Sequence, residues 1–251
     1  MLNAIIALAV AQADGLQTVT LTVDGVERQF IAYAPLTKDA RPRPLVFAFH
    51  GHGGNMRYSL NRFKFNKTWP EAVSLYPQGL PTKGMTDPDG KKNGWQQRVN
   101  TEGNRDEKFL DAMLEWAKKN NRIDEKNVFS MGHSNGGAMT MVAWNSHPNL
   151  FKGLGVCCGG GRTLPENKPT ALFSVSGRND PIVKFAGQQL SFNSAKRVNG
   201  ATGEGKPYGN NSTIWEGKAP SVWYVSDGGH ELPEEALEQL TKFFKDLSKK
   251  P

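Results

Sequence analysis

Cysteine is almost absent from this 251-residue chain: there are two, and they are neighbours, Cys157 and Cys158. Adjacent cysteines cannot close a loop, so no disulfide framework supports the fold, and both are expected as small buried apolar residues. Also missing is an apolar run near the ~18 residues of a membrane span, so no membrane partner is expected. Lys and Arg outnumber Asp and Glu to give a net charge of +7, but they are scattered. Without an arginine-rich run interleaved with aromatics, nucleic acid is not an expected partner, and solubility accounts for the charge. There is no internal repeat and no linker. What is abundant is core-forming material, with thirteen Phe and six Trp, which excludes a disordered polymer. Glycine, at 27 residues, is in surplus and predicts many tight turns. The length suits one domain.

The N-terminal stretch from Ala4 to Ala11 is short and apolar, and Ala11-Gln12-Ala13 has the A-x-A form of a cleavage site. It predicts a signal peptide over 1–13, a single domain over 14–251, and a secreted or periplasmic protein. No Lys or Arg precedes the run, and a packed N-terminal segment is the alternative.

Asp24-Gly25 separates β-prone Gln17 to Val23 from Arg28 to Tyr33, a hairpin signal. Six further runs, at Leu45 to Phe49, Ala72 to Tyr76, Val128 to Met131, Gly153 to Val156, Ala171 to Val175 and Ser221 to Val225, are apolar on both faces and bounded by turn residues. Such runs suit a buried parallel sheet. Helical patterns lie between them: Glu107 to Asn120, which Asp106 can cap, Gly136 to Trp144, and Pro233 to Leu247. Ser191 to Asn211, rich in Gly, Asn and Lys, is expected as surface loop. The pattern predicts an α/β fold with a mostly parallel central sheet of about eight strands flanked by helices.

The sharpest local signal is Gly132-His133-Ser134-Asn135-Gly136, between the apolar run VFSM and a helical pattern. A serine hydroxyl is a poor nucleophile, so it must be exposed on a sharp turn near a base. Glycines two residues away on each side let backbone pass, and the following helix aims N–H groups at a developing oxyanion. Of the five histidines, His50, His52, His133, His147 and His230, the last follows a strand near the C-terminus, where this layout places its base. His147, before Pro148, is expected in a structural or exposed role. Asp180, in the loop after Ala171 to Val175, is the expected acid, and Asp227, on the same loop as His230, is its rival with a turn-forming alternative. The oxyanion donors are expected to be the Asn135 amide and, from His50-Gly51-His52-Gly53-Gly54, the His52 amide, with Gly53 as alternative. Two His flanking one Gly, without matching carboxylates or Cys, do not make a metal site, and Asp87-Pro88-Asp89-Gly90 reads as a turn, not a calcium loop. No metal or cofactor is expected.

These motifs resemble the α/β-hydrolase esterases grouped with poly(3-hydroxybutyrate) depolymerases and the feruloyl or acetylxylan esterases of carbohydrate esterase family 1. The matching segments include PLVFAFHGHGGN at Pro44 to Asn55, YPQG at Tyr76 to Gly79, Gly94-Trp95, RIDEKNVFSMGHSNGGAMT at Arg122 to Thr140, and the Asp180 and His230 loops. The resemblance implies the fold, the nucleophile Ser134, the acid Asp180 and the base His230, in agreement with the residues themselves. It also implies that Trp95 lines the substrate cleft; His133, beside the nucleophile, is expected to orient or pack there and is a second candidate substrate contact. The chain departs from the family where Glu231-Leu232-Pro233 replaces a frequent Trp-Pro-Gly segment and His52 replaces a frequent Cys. The implied function is hydrolysis of feruloyl or acetyl esters of plant polysaccharide by a monomer, with aliphatic polyester as the alternative substrate. A serine peptidase of the same fold and a noncatalytic polysaccharide-binding protein are the remaining alternatives.

Overall fold

The computed structural model describes residues 8–11, 14–36, 41–163 and 167–250. The described part begins with β1 (Leu8–Ala11), β2 (Leu16–Val23) and β3 (Val26–Tyr33). Asp24 and Gly25 both take positive φ, 49° and 78°, the primed geometry whose twist matches a two-residue hairpin, and they set Val23 opposite Val26. Then come β4 (Arg43–Phe49), α1 (Met56–Phe63), α2 (Phe65–Thr68), β5 (Val73–Pro77), β6 (Leu80–Pro81), β7 (Asn93–Gly94), α3 (Arg105–Asn120), β8 (Ile123–His133) and α4 (Asn135–Ser146). The chain ends with β9 (Gly153–Cys157), β10 (Ala171–Gly177), α5 (Phe185–Val198), β11 (Lys206–Gly209), β12 (Ser212–Trp215), β13 (Ser221–Ser226) and α6 (Glu234–Ser248).

One 11-stranded sheet runs β1-β2-β3-β5-β4-β8-β9-β10-β13-β12-β11, and β6 pairs separately with β7. The strands from β5 through β4, β8, β9 and β10 to β13 are parallel and coincide with the six two-sided apolar runs. Every residue of β5, β9 and β10 is buried, because helices cover both faces. Helices α3, α4 and α5 enclose Phe109, Met113, Trp144 and Phe192 on one face. On the other, α1, α2 and α6 enclose Phe63, Phe65, Leu240 and Phe244. Phe129 of β8 points to this second face, its ring 4.7 Å from Phe244 and 5.5 Å from Trp69.

The sheet exceeds the expected eight strands by β1, whose apolar sequence reads as signal peptide, and by the edge pair β11 and β12, which lack a two-sided apolar run. Leu8–Ala11, inside the expected signal peptide, pairs antiparallel with β2; residues 1–7, 12 and 13 lie outside the described residues. The expected loop from Ser191 to Asn211 is instead the end of α5 followed by β11. Helix α5 buries only Gln188, Phe192 and Ala195, a stripe too narrow to stand out from its polar outer face. Asp106 is not the cap of α3. It sits inside the first turn, and its carboxylate is 2.8 Å from the Arg28 guanidinium, with both side chains fully buried.

Candidate active site

Ser134 stands between β8 and α4 at φ 57°, ψ −121°, a conformation an L-residue holds only where its surroundings impose it. The surroundings are backbone. A Cβ on Gly132 would lie 2.2 Å from the Gly136 carbonyl, and a Cβ on Gly136 would lie 2.2 Å from the Phe49 carbonyl oxygen, so only glycine fits at either place. The Ser134 amide donates to the Cys157 carbonyl at 2.7 Å, tying the turn to the end of β9. Helix α4 starts at the next residue, with the positive end of its dipole at the serine.

His230 and Asp180 follow β13 and β10, so both lie with Ser134 at the carboxyl ends of the parallel strands, where ligands of open α/β sheets bind. His230 Nδ1 is 2.8 Å from Asp180 Oδ2. Asp180 Oδ1 accepts from the Ile182 and Val183 amides at 2.8 and 2.9 Å, and Oδ2 also accepts from Gln188 Nε2 at 2.9 Å. Burial raises the Asp180 pKa, but the hydrogen bonds from His230 and from the two amides outweigh it and hold the carboxyl below its ordinary value. An ionised Asp180 accepts the Nδ1 proton of His230, which leaves the lone pair on Nε2. Asp227 points to solvent, 92% exposed, and pairs with Arg178 at 3.4 Å. The His230 loop is held by Cys158, whose Sγ–H donates to the Glu231 carbonyl at 2.9 Å. Both cysteines are free and buried, and burial pushes the Cys158 thiol up to about 12.

The loop after β4 is positioned from a distance. His50 is fully buried, with Nδ1 2.7 Å from the Gly51 carbonyl and Nε2 accepting from the Gly79 amide at 2.9 Å. That pattern requires the neutral Nδ1–H form, and burial lowers its pKa to about 4. Trp95 Nε1 donates to the His50 carbonyl at 2.8 Å. Asn135 clamps Trp95 at both ends of its peptide unit, Oδ1 accepting from the Trp95 amide at 2.7 Å and Nδ2 donating to its carbonyl at 3.1 Å. The Gly53 amide donates to the Asn93 carbonyl at 2.7 Å and is therefore spent on holding the loop. Among the described residues the His52 and Asn135 amides donate to no protein acceptor, which leaves these two available to an oxyanion.

A cleft of about 160 Å³ opens beside Ser134, walled by His52, Met85, Asn135, Ala138, Ile182 and Val183. Trp95 does not line it. The ring is fully buried beneath the loop after β4, 5.2 Å from Phe49 and 4.8 Å from His50, so it supports that loop from below. His133 packs against His230 with ring centroids 4.9 Å apart, and burial chiefly, then the neighbouring His230, lower its pKa to about 4. A neutral His133 leaves Asp180 as the charged neighbour of His230. His147 caps the far end of α4 and bonds Asp111 at 2.8 Å, well outside the site. His52 turns its Nε2 to Asp87 at 3.3 Å, so Asp87 serves as an anchor for the oxyanion loop. The cleft walls at Met85, Ile182 and Val183 carry no sequence motif; the only signal was that Ile182 and Val183 follow Asp180-Pro181 directly. Among the described residues no group of three or more His, Cys, Asp or Glu is placed to hold a metal ion, and no helix is long and apolar enough to cross a membrane.

Sheet order, flanking helices and a serine on a glycine-walled turn define an α/β-hydrolase fold, the fold that the sequence implied. The family model of the prolyl oligopeptidase family matches residues 87–159, the segment that contains the turn. The chain is similar to feruloyl esterases over most of its length. It is 28% identical to a probable feruloyl esterase C of Aspergillus flavus over 82% of this chain and 77% of that protein. It is 29% identical to feruloyl esterase D of Neurospora crassa, over 85% of this chain and 77% of that one. Among solved structures, an acetyl xylan esterase from Aspergillus awamori superposes with a TM-score of 0.67 at 15% identity, covering 96% of this chain and 99% of that one. A ferulic acid esterase superposes with a TM-score of 0.66 at 15% identity, covering 92% and 97%.

Proposed function

We infer that this carboxylic ester hydrolase works through a Ser134–His230–Asp180 triad, on feruloyl or acetyl esters of plant polysaccharide. The observation that carries the reading is the bond from His230 Nδ1 to a buried, ionised Asp180, on the same sheet edge as a serine forced into positive φ. In the first half-reaction His230 Nε2 takes the Ser134 proton as Oγ bonds to the ester carbonyl carbon. Charge develops on the carbonyl oxygen, where the His52 and Asn135 amides stabilise it, each such donor being worth about 3 kcal/mol. The bond to the alcohol oxygen then breaks, and His230 delivers its proton to the leaving alcohol. Water repeats the sequence on the acyl-enzyme, with His230 again as base, and frees the acid and Ser134. The polysaccharide-ester substrate class is supported by the activities in the names of the similar proteins.

Ser134→Ala should lower kcat/KM on a short nitrophenyl ester by at least about 10⁴-fold, and a fluorophosphonate probe should label the wild type but not the variant. Undiminished hydrolysis by the alanine variant would overturn Ser134 as the nucleophile, whereas a wild type that neither hydrolyses the ester nor takes up the probe would leave a binding protein on a hydrolase scaffold as the better reading.

We also infer secretion or transfer to a periplasm, supported by the apolar Ala4 to Ala11 stretch and its A-x-A sequence. Strand β1 pairs only with β2, so cleavage after Ala13 removes one edge strand and leaves the remaining sheet continuous. N-terminal sequencing of the exported protein should begin at Asp14; a chain that keeps Met1 contradicts cleavage.

A further inference from the structure

Large apolar side chains left in water are few, and three of them stand together: Met85 at 76% exposure, Ile182 at 42% and Leu190 at 72%. They rim the Ser134 cleft and a second hollow of about 410 Å³ beside it, between the Gly159–Gly161 run and helix α5. The cleft and the hollow share Gly159, Gly160 and Val183 in their walls, so they adjoin. The absence of a side chain at Gly160 lets this shared wall pack on α5. A Cβ on Gly160 would lie 2.7 Å from the Ser191 Cβ, and Ser191 Oγ both accepts from the Gly161 amide at 3.0 Å and donates to its carbonyl at 3.1 Å, which fixes the run against α5. The cleft alone is smaller than the roughly 300–1,000 Å³ of ordinary ligand pockets, whereas cleft and hollow together fall within that range.

We propose that the hollow is the distal half of the acyl site, and that the enzyme prefers esters of an extended apolar acid, aromatic or aliphatic, over acetyl esters. The inference rests on the esterase reading above and narrows it. Its direction follows from the chemistry: the leaving alcohol must sit against His230, which returns its proton, so the acyl group extends away from that ring. The cleft wall carries Ser134, Asn135 and His52 but not His230, so it lies on the acyl side. An exposed apolar rim continuous with the reacting carbon is then the surface that the far end of the acid covers. Each methylene buried there should raise kcat/KM roughly fourfold.

The test is an acyl series of nitrophenyl esters from acetate to octanoate, with a cinnamate, hydrolysed by the wild type and by Gly187→Phe. Gly187 lies in α5 beside the hollow, and a Cβ there meets nothing within 4 Å, so a side chain can leave the backbone at this point without a clash. The wild-type kcat/KM should rise along the series, and the octanoate-to-acetate ratio should fall at least tenfold in Gly187→Phe. A second variant, Leu190→Ser, should lower the same ratio about threefold while removing bulk instead of adding it. A wild type that prefers acetate, or ratios that neither variant moves, overturns the proposal. So does a Gly187→Phe effect confined to a parallel series of acetate esters with lengthening alcohols, which would assign the hollow to the leaving group. Failure of the wild type to hydrolyse any ester would instead strike the esterase reading itself, so the two failures are distinguishable.

Discussion

The serine turn and the oxyanion loop are both glycine-rich, both follow a buried parallel strand, and both present backbone to the same cleft, yet they are held in opposite ways. The turn is held by backbone pressed on backbone: Gly132 lies against Gly136, Gly136 against the Phe49 and His50 carbonyls, and the helix begins at once. The oxyanion loop borrows its shape from far along the chain. Gly79 fixes the His50 ring, Asn93 takes the Gly53 amide, Trp95 supports the His50 carbonyl, and Asp87 holds His52. Behind Trp95, the Gln96 amide donates to Asp106 at 2.7 Å, and Asp106 pairs with Arg28. A strained turn can be built by close contact alone, because steric exclusion needs only backbone at the right place. Aiming an amide at a point in space needs a brace, and braces come from other elements.

The comparison breaks first at Gly136. Gly136→Ala puts a Cβ 2.2 Å from the Phe49 oxygen and 2.6 Å from the His50 oxygen, backbone that cannot move aside. It should cost about 3–5 kcal/mol in urea unfolding and remove activity; a stable, active variant would show that the turn is not built by exclusion. The loop should be weakened at long range by Asp106→Asn. That change keeps an acceptor for Gln96 but leaves the buried Arg28 charge without its anion, at about 3 kcal/mol. Its kcat/KM should fall, though by less than the about 10²-fold that loss of an oxyanion donor costs. If activity is untouched while stability drops, the brace serves the fold alone.

The smallest effect is acid sensitivity, and both regions share it. His50 in the loop and His133 at the turn have pKa values lowered to about 4, chiefly by burial. The unfolded chain binds protons to these rings near pH 6.5, before the folded one does, so each contribution is present above pH 6.5 and is lost as pH falls toward about 4. At pH 5.5 the loss should be about 1.4 kcal/mol per ring relative to pH 7.5. Unfolding free energies measured across that range check it, and a flat profile would mean that neither ring is buried in its neutral form.

Much of this was legible in the residues. Two-sided apolar runs located all six parallel strands, since burial on both faces leaves no polar alternation to confuse them. Asp24-Gly25 located the hairpin because positive φ at two successive positions restricts what can stand there. Ser134, Asp180 and His230 were singled out by order along the chain, and the structure brings Asp180 and His230 into contact. Helix α5 was missed because its buried stripe is three residues wide, and the edge strands β11 and β12 were missed because they are short and half polar. Trp95 was expected in the cleft because Gly94-Trp95 matched the family resemblance, and a motif does not say which side of a backbone the ring takes.

By itself, then, the sequence determined which segments are the parallel strands, where the serine turn must fall, and the chain order Ser134, Asp180, His230. These depend on periodicity and on steric rules that act within a few residues. Tertiary structure alone decided that Asp180 and not Asp227 meets His230, that the Gly53 amide is consumed while the His52 amide is free, and that the cleft adjoins a hollow between the Gly159–Gly161 run and α5. Each of those is a choice among near-equal local candidates, settled by which distant groups pack against them once the sheet has formed.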